Sequence, residues 1–197
     1  MKFNRSDGTL VDDQFITGLI TPREIAFDDA GNILVFETGF IYQNWPGRVT
    51  KFNLASGGSY DGSQDLITEL PVTGADALFT TSDFHYANGN IYVGLKTKVA
   101  KFSAETSEVY DGSQDFIINL DRIGSITTDD FGNLYVASYA GNKSISKFDI
   151  AAGGVYDGSQ DLITHLISPP NMDYLAGNLY FYDQGYNEED IAIISEG

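Results

Sequence analysis

The stretch SITTDDFGNLYVAS, Ser125–Ser138, reads as a strand, a tight turn and a second strand. Gly132 takes positive φ without a Cβ penalty, Asn133 tolerates turn geometry, and Leu134, Tyr135 and Val136 suit a pleated surface. The phrase recurs three times, as EIAFDDAGNILVFE from Glu24, SDFHYANGNIYVGL from Ser82 and PNMDYLAGNLYFYD from Pro170. The turn glycines Gly31, Gly89, Gly132 and Gly177 are spaced by 58, 43 and 45 residues.

Each hairpin is followed by a third apolar segment: GRVTKF from Gly47, TKVAKF from Thr97, SISKFD from Ser144 and DIAIIS from Asp190. A fourth strand type reads QFITGL (Gln14–Leu19), DLITEL (Asp65–Leu70), DFIINL (Asp115–Leu120) and DLITHL (Asp161–Leu166). Four strand types in four copies, at a spacing near the roughly 40–50 residues of a four-stranded blade, predict an all-β fold. The expectation is a single β-propeller domain over residues 1–197, with four blades of four antiparallel strands. The blades fall at about 20–70, 71–120, 121–166, and 167–197 completed by 1–19. In that ring the N-terminal strand pairs with the C-terminal one and covers the edges of both. A competing view is that MKFN (Met1–Asn4) matches TKFN (Thr50–Asn53), so that the chain starts in the middle of a repeat of a larger propeller.

Between the third and fourth strands a six-residue phrase, YDGSQD, is copied at Tyr60, Tyr110 and Tyr156. Its oxygen-bearing residues alternate as in a calcium loop, at Asp61, Ser63 and Asp65 for example. A late bidentate carboxylate is absent from the copies. The expected role is architectural: Asp and Ser bond the loop's own amides and Gly supplies a left-handed position.

With 28 acidic and 11 basic residues the formal charge is −17, a field that repels phosphate backbones, so nucleic acid is not an expected partner. The chain has no Cys, which removes disulfides and thiolate metal sites and leaves cytoplasmic and extracellular locations both open. MKFNRSDGTL lacks the apolar stretch of a signal peptide, and no run approaches the length of a membrane span. Nucleophilic catalysis finds little to work with: only His85 and His165 are present, and there is no Gly-x-Ser-x-Gly elbow. His85 stands on a first strand and reads as a packed residue.

The phrases PREIAFDDAGNILVFETG and SITTDDFGNLYVASYAGN resemble NHL repeats and their relatives in the senescence-marker/gluconolactonase superfamily. The likeness lies in strand and turn residues and so speaks for fold more than chemistry. It implies ligands at the central channel and on the face built by the loops joining strands two to three and four to one. On that face Glu37 and Asp183, with Glu24 and Asn171 nearby, form a candidate oxygen site for a divalent metal, calcium being the cofactor considered. Tyr42, Trp45, Tyr139 and Tyr186, with Arg23, form a candidate surface for stacking on a sugar ring or a protein partner. Two functions follow as expectations: a non-enzymatic binding or scaffold module, or a calcium-dependent hydrolase or lactonase of the gluconolactonase type.

Overall fold

The computed structural model describes residues 1–39, 43–71, 81–167, 171–184 and 189–195, and among them the regular structure is β-strand. A short hairpin comes first, β1 (Lys2–Phe3) and β2 (Leu10–Asp12), followed by β3 (Ile16–Thr17). With each sequence repeat termed a blade by its place in the chain, the first comprises β4 (Pro22–Phe27), β5 (Ile33–Glu37), β6 (Gly47–Phe52), β7 (Gly58–Ser59) and β8 (Asp65–Leu70). The second holds β9 (Thr81–Ala87), β10 (Asn90–Leu95), β11 (Lys98–Ser103), β12 (Glu108–Val109) and β13 (Asp115–Ile118). The third holds β14 (Ile123–Thr128), β15 (Asn133–Ser138), β16 (Ile145–Asp149), β17 (Gly154–Val155) and β18 (Asp161–Ile163). The fourth has β19 (Asn171–Leu175), β20 (Asn178–Gln184) and β21 (Glu189–Ser195). No helix of the described residues is long and apolar enough to cross a membrane.

The four main strands of the first three blades run antiparallel in chain order, as the repeat predicts. The turn glycines have φ of 79°, 74°, 87° and 82°. Where the sequence reads Asn88-Gly89 or Ala176-Gly177, both residues are left-handed, the geometry of a tight hairpin. Where it reads Asp28 or Asp129, the carboxylate accepts from the amide of Asn32 (2.7 Å) or Asn133 (2.8 Å) and closes a longer turn.

The short strands explain the copied phrase. β7, β12 and β17 leave their own blades and pair in parallel with the preceding fourth strand: β7 with β3, β12 with β8, β17 with β13. The tyrosine that opens each phrase continues the ladder, its amide donating to Thr17 O (2.9 Å), Thr68 O (3.0 Å) or Ile118 O (2.9 Å). Behind it the phrase folds on itself. Ser63, Ser113 and Ser159 amides donate to the Asp two residues earlier at 2.9 Å, and Gln64, Gln114 and Gln160 accept from the amide of that same Asp. The tyrosine hydroxyls reach Asp65, Asp115 and Asp161 at 3.2, 2.9 and 3.1 Å. The Asp61, Asp111 and Asp157 side chains serve these loop bonds.

Two expectations need correction. Three fourth strands, β3, β13 and β18, are shorter than their sequence pattern suggests, whereas β8 runs to Leu70; the residue before the final Leu is left-handed in all four copies, at Gly18, Glu69, Asn119 and His165. His165 lies beyond the end of β18 with an exposed imidazole. The ring also does not close. Among the described residues β3 pairs with β7, and β21 stands at the edge of the sheet β19-β20-β21. Among the described residues no N-terminal strand pairs with a C-terminal one, so the sheets are not closed into a ring.

Apolar packing lies between successive sheets. Leu34, Phe36 and Leu66 of the first blade meet Phe84, Ile91 and Val93 of the second. Tyr92, Val99 and Ile117 meet Ile126, Leu134 and Val136, and Tyr135, Ala137 and Ile145 meet Met172, Leu179 and Phe181. At the rim the latch comes so close that a Cβ on Gly153 (φ 62°) would stand 2.4 Å from the Phe116 carbonyl oxygen, whereas one on Gly158 would meet nothing within 4 Å. Gly153→Ala is therefore expected to cost about 3 kcal/mol and Gly158→Ala about 1 kcal/mol, from left-handed strain alone, in urea unfolding.

Candidate functional site

At the first blade a chain of polar groups runs from β5 to β8. Glu37, the last residue of β5, is buried and accepts from the amides of Ile20 (2.6 Å) and Thr21 (3.2 Å) through Oε1. Its Oε2 accepts from Arg48 Nε of β6 at 2.6 Å. The Arg48 guanidinium lies 3.8 Å from the Tyr60 ring centroid and Nη1 donates to the Tyr60 hydroxyl, which in turn donates to Asp65 at 3.2 Å. Burial alone would raise the Glu37 carboxyl; the Arg48 guanidinium and the two amides outweigh it and hold the group below its ordinary value. Glu37 is thus ionised and paired with Arg48.

This chain lines one side of a cleft of about 410 Å³. Ile20 and Thr21 come from the connection between strands four and one, Gly39 and Trp45 from the loop joining β5 and β6, and Thr68 and Glu69 from β8. Two lining residues carry a buried polar atom with no hydrogen-bond partner, Arg48 Nη2 and Asp65 Oδ1. One is a donor and one an acceptor. Trp45, at 43% exposure, supplies an indole face at the same cleft.

Of the residues expected to bind a ligand, Trp45 lines the cleft. Tyr42 and Tyr186 lie outside the described residues. Arg23 is exposed on β4 and does not line the cleft, and Tyr139 belongs to the third blade, its amide donating to Arg122 O and its hydroxyl buried without a partner. Of the four expected metal ligands, Glu37 and Glu24 stand on β5 and β4, and Asn171 and Asp183 on β19 and β20. Glu37 is committed to Arg48 and two amides, Glu24 accepts from the Phe84 amide, and Asn171 starts β19 in the fourth blade. Asp183 sits in β20 of that same blade, with its side chain outside the described residues. Among the described residues no grouping of three or more His, Asp or Glu is placed to hold a metal ion.

Arg48, Tyr60 and Asp65 were missed as site residues. The tyrosine and aspartate were visible in the copied phrase, and the signal for the site was the residue facing them. The second blade has Lys98 there, 2.7 Å from Asp115, and the third has Ser144, so only the first presents a guanidinium.

Along the inner strands a second pattern repeats. The Phe84 amide donates to Glu24 Oε2 (3.1 Å), the Ile126 amide to Asp83 Oδ2 (2.7 Å) and the Met172 amide to Ser125 Oγ (3.4 Å). Each is one rung between a first strand and the next. Glu24 and Asp83 are also hydrogen-bonded to each other. Burial first, then that bond and the Asp83 charge, push the Glu24 carboxyl up to about 8. His85 Nε2 meets Thr128 Oγ1 at 3.0 Å, and burial lowers its pKa, as suits a packed imidazole.

No protein-family model and no curated protein matches the sequence. Solved structures do match in fold. The extracellular domain of a hybrid two-component system from B. thetaiotaomicron has TM-score 0.54 at 18% identity over 89% of this chain and 24% of its own. The PQQ domain of pyranose dehydrogenase from Coprinopsis cinerea has TM-score 0.53 at 12% identity, covering 89% of this chain and 48% of its own. The computationally designed Ika8 protein has TM-score 0.50 at 10% identity, covering 82% and 42%. The chain spans less than half the length of each. The fold is all-β and β-propeller-like.

The Glu24–Asp83 pair makes stability depend on pH. Because the folded protein holds the Glu24 proton up to about pH 8 and the unfolded chain releases it near 4.5, stability falls as pH rises through that window. Glu24→Gln keeps an acceptor for the Phe84 amide and has no proton to lose. Urea midpoints at pH 5 and pH 8 are expected to converge in the variant and to differ, with pH 5 higher, in the parent.

Proposed function

We propose that the protein is a non-enzymatic, NHL-like propeller module that binds a neutral, ring-shaped polar ligand, a carbohydrate, in the cleft of the first blade. The observation that carries this reading is the pairing of an exposed indole with a buried unbonded donor, Arg48 Nη2, and a buried unbonded acceptor, Asp65 Oδ1, in one cleft. Sugar hydroxyls donate and accept, and their C–H faces stack on indole. Because Glu37 already neutralises Arg48 and the net charge is −17, an anionic ligand is disfavoured. One fold neighbour is an extracellular domain of a signalling system, a setting that suits recognition without catalysis. The module's repeat identity rests on the Gly-Asn hairpins rather than on site chemistry.

Trp45 fluorescence titrated with a panel of neutral oligosaccharides, with peptides as the comparison set, tests the proposal. Binding by a saccharide is expected to weaken at least about tenfold in Trp45→Ala and in Asp65→Asn, the scale of one lost stacking or hydrogen-bond contact. Silence across the saccharides, or affinity indifferent to both substitutions, removes it. The rival metal-dependent hydrolase makes the opposite forecast in a thermal melt. Under the binding reading calcium and chelator leave Tm unchanged, whereas a calcium-induced rise abolished by Glu37→Gln supports a metal.

A further inference from the structure

The two ends of the blade series expose the two halves of an interface that the molecule has already built three times. Strand register assigns each blade two faces. On the face toward the preceding blade, the first strand presents Ile25 and Phe27, Phe84 and Tyr86, Ile126 and Thr128, or Met172 and Tyr174. Wherever a preceding first strand is present this face is covered: Phe84, Ile126 and Met172 are 3%, 2% and 9% exposed. In the first blade, Ile25 and Phe27 are 62% and 53% exposed. On the opposite face, Tyr92 faces Lys101 and Tyr135 faces Lys147, and Lys101 reaches the next blade at Ile150 O, as Lys51 reaches Ala104 O. The fourth blade substitutes Ile193 at that lysine position, 56% exposed, opposite Tyr180.

The hydrogen-bonding groups are left over in the same complementary way. The inner rungs run from Glu24, Asp83 and Ser125 to the amides of Phe84, Ile126 and Met172. Continuing the series, the next acceptor is Asn171, and the amide equivalent to those three in the first blade is that of Ile25. At the rim, among the described residues, β21 has no strand beyond it and β3 has no antiparallel third-strand neighbour.

We propose that a second copy of this chain covers each end, head to tail, with the fourth blade of one copy seated on the first blade of the other and two such contacts closing one ring. β21 then lies antiparallel to the partner's β3 with Ile191 opposite Ile16, in the register that sets Val49 against Ile67, Val99 against Ile117 and Ile145 against Ile163. The interface is heterologous, so its geometry is the interior blade contact repeated between chains. The apolar Ile193 in place of a lysine marks this end for burial. Binding at the Trp45 cleft is a separate property and neither supports nor undermines the contact.

Sedimentation equilibrium of the full chain from about 1 to about 100 µM, in salt of about 150 mM to screen the negative charge, tests it. The expected mass is twice 21.5 kDa. Phe27→Asp and Ile193→Asp, both at exposed positions, are each expected to give folded monomers, with circular dichroism like the parent's. Mixing the two variants is expected to restore a dimer, because one of the two contacts then joins an intact Phe27 end to an intact Ile193 end. A monomeric parent overturns the proposal and leaves the faces to some other occupant. Failure of the mixture to dimerise overturns the pairing of a Phe27 end with an Ile193 end. A mass that keeps rising with concentration overturns ring closure at two copies.

Discussion

Everything in this molecule hangs on the parallel two-residue latch by which one blade finishes the rim of the blade before it. A sheet edge is a row of unpaired amides and carbonyls, and a stack of sheets needs something to cover each one. Here β7, β12 and β17 cover β3, β8 and β13, and the tyrosine amide of each copied phrase adds a further bond to the same edge. Leu66 and Phe15, beneath a latch, are 6% and 9% exposed, whereas Leu162, on the fourth strand that has none, is 46% exposed. The copied hexapeptide is the folded base from which the latch projects.

How much of this was legible in the sequence depended on whether the information was local. The hairpins could be read because their turns are decided by two or three adjacent residues: Gly31 beside Asn32, or Asn88 beside Gly89. The early ends of β13 and β18 could not, since the same left-handed position before the final Leu occurs in β8, which nevertheless runs to Leu70. Closure was misjudged for a different reason. A complementary pair of strand types, one at each end of the chain, is equally satisfied within a chain or between chains, and composition does not choose between them.

The candidate site shows the same division. Trp45 and Glu37 stood out as residue types, and both line the cleft. The role of Glu37 came out differently because its partners are distant in sequence or in adjacent elements: Arg48 on β6 and the Ile20 and Thr21 amides in the connection before β4. Glu24 is likewise spoken for by Phe84, 60 residues away. A carboxylate in a list of candidate ligands is a promise that only three-dimensional neighbours can release or revoke, and in these two cases a backbone amide claimed it first.

The latch always points the same way, from a later blade back onto an earlier one, and this gives synthesis an order. As the polypeptide leaves the ribosome, the hairpins and third strand of a blade can form as soon as they emerge, but its fourth strand keeps a bare rim until the following blade has reached its own copy of the hexapeptide. The bare rim of the newest fourth strand is therefore covered one blade later, so that this exposure to misassembly travels with the growing end.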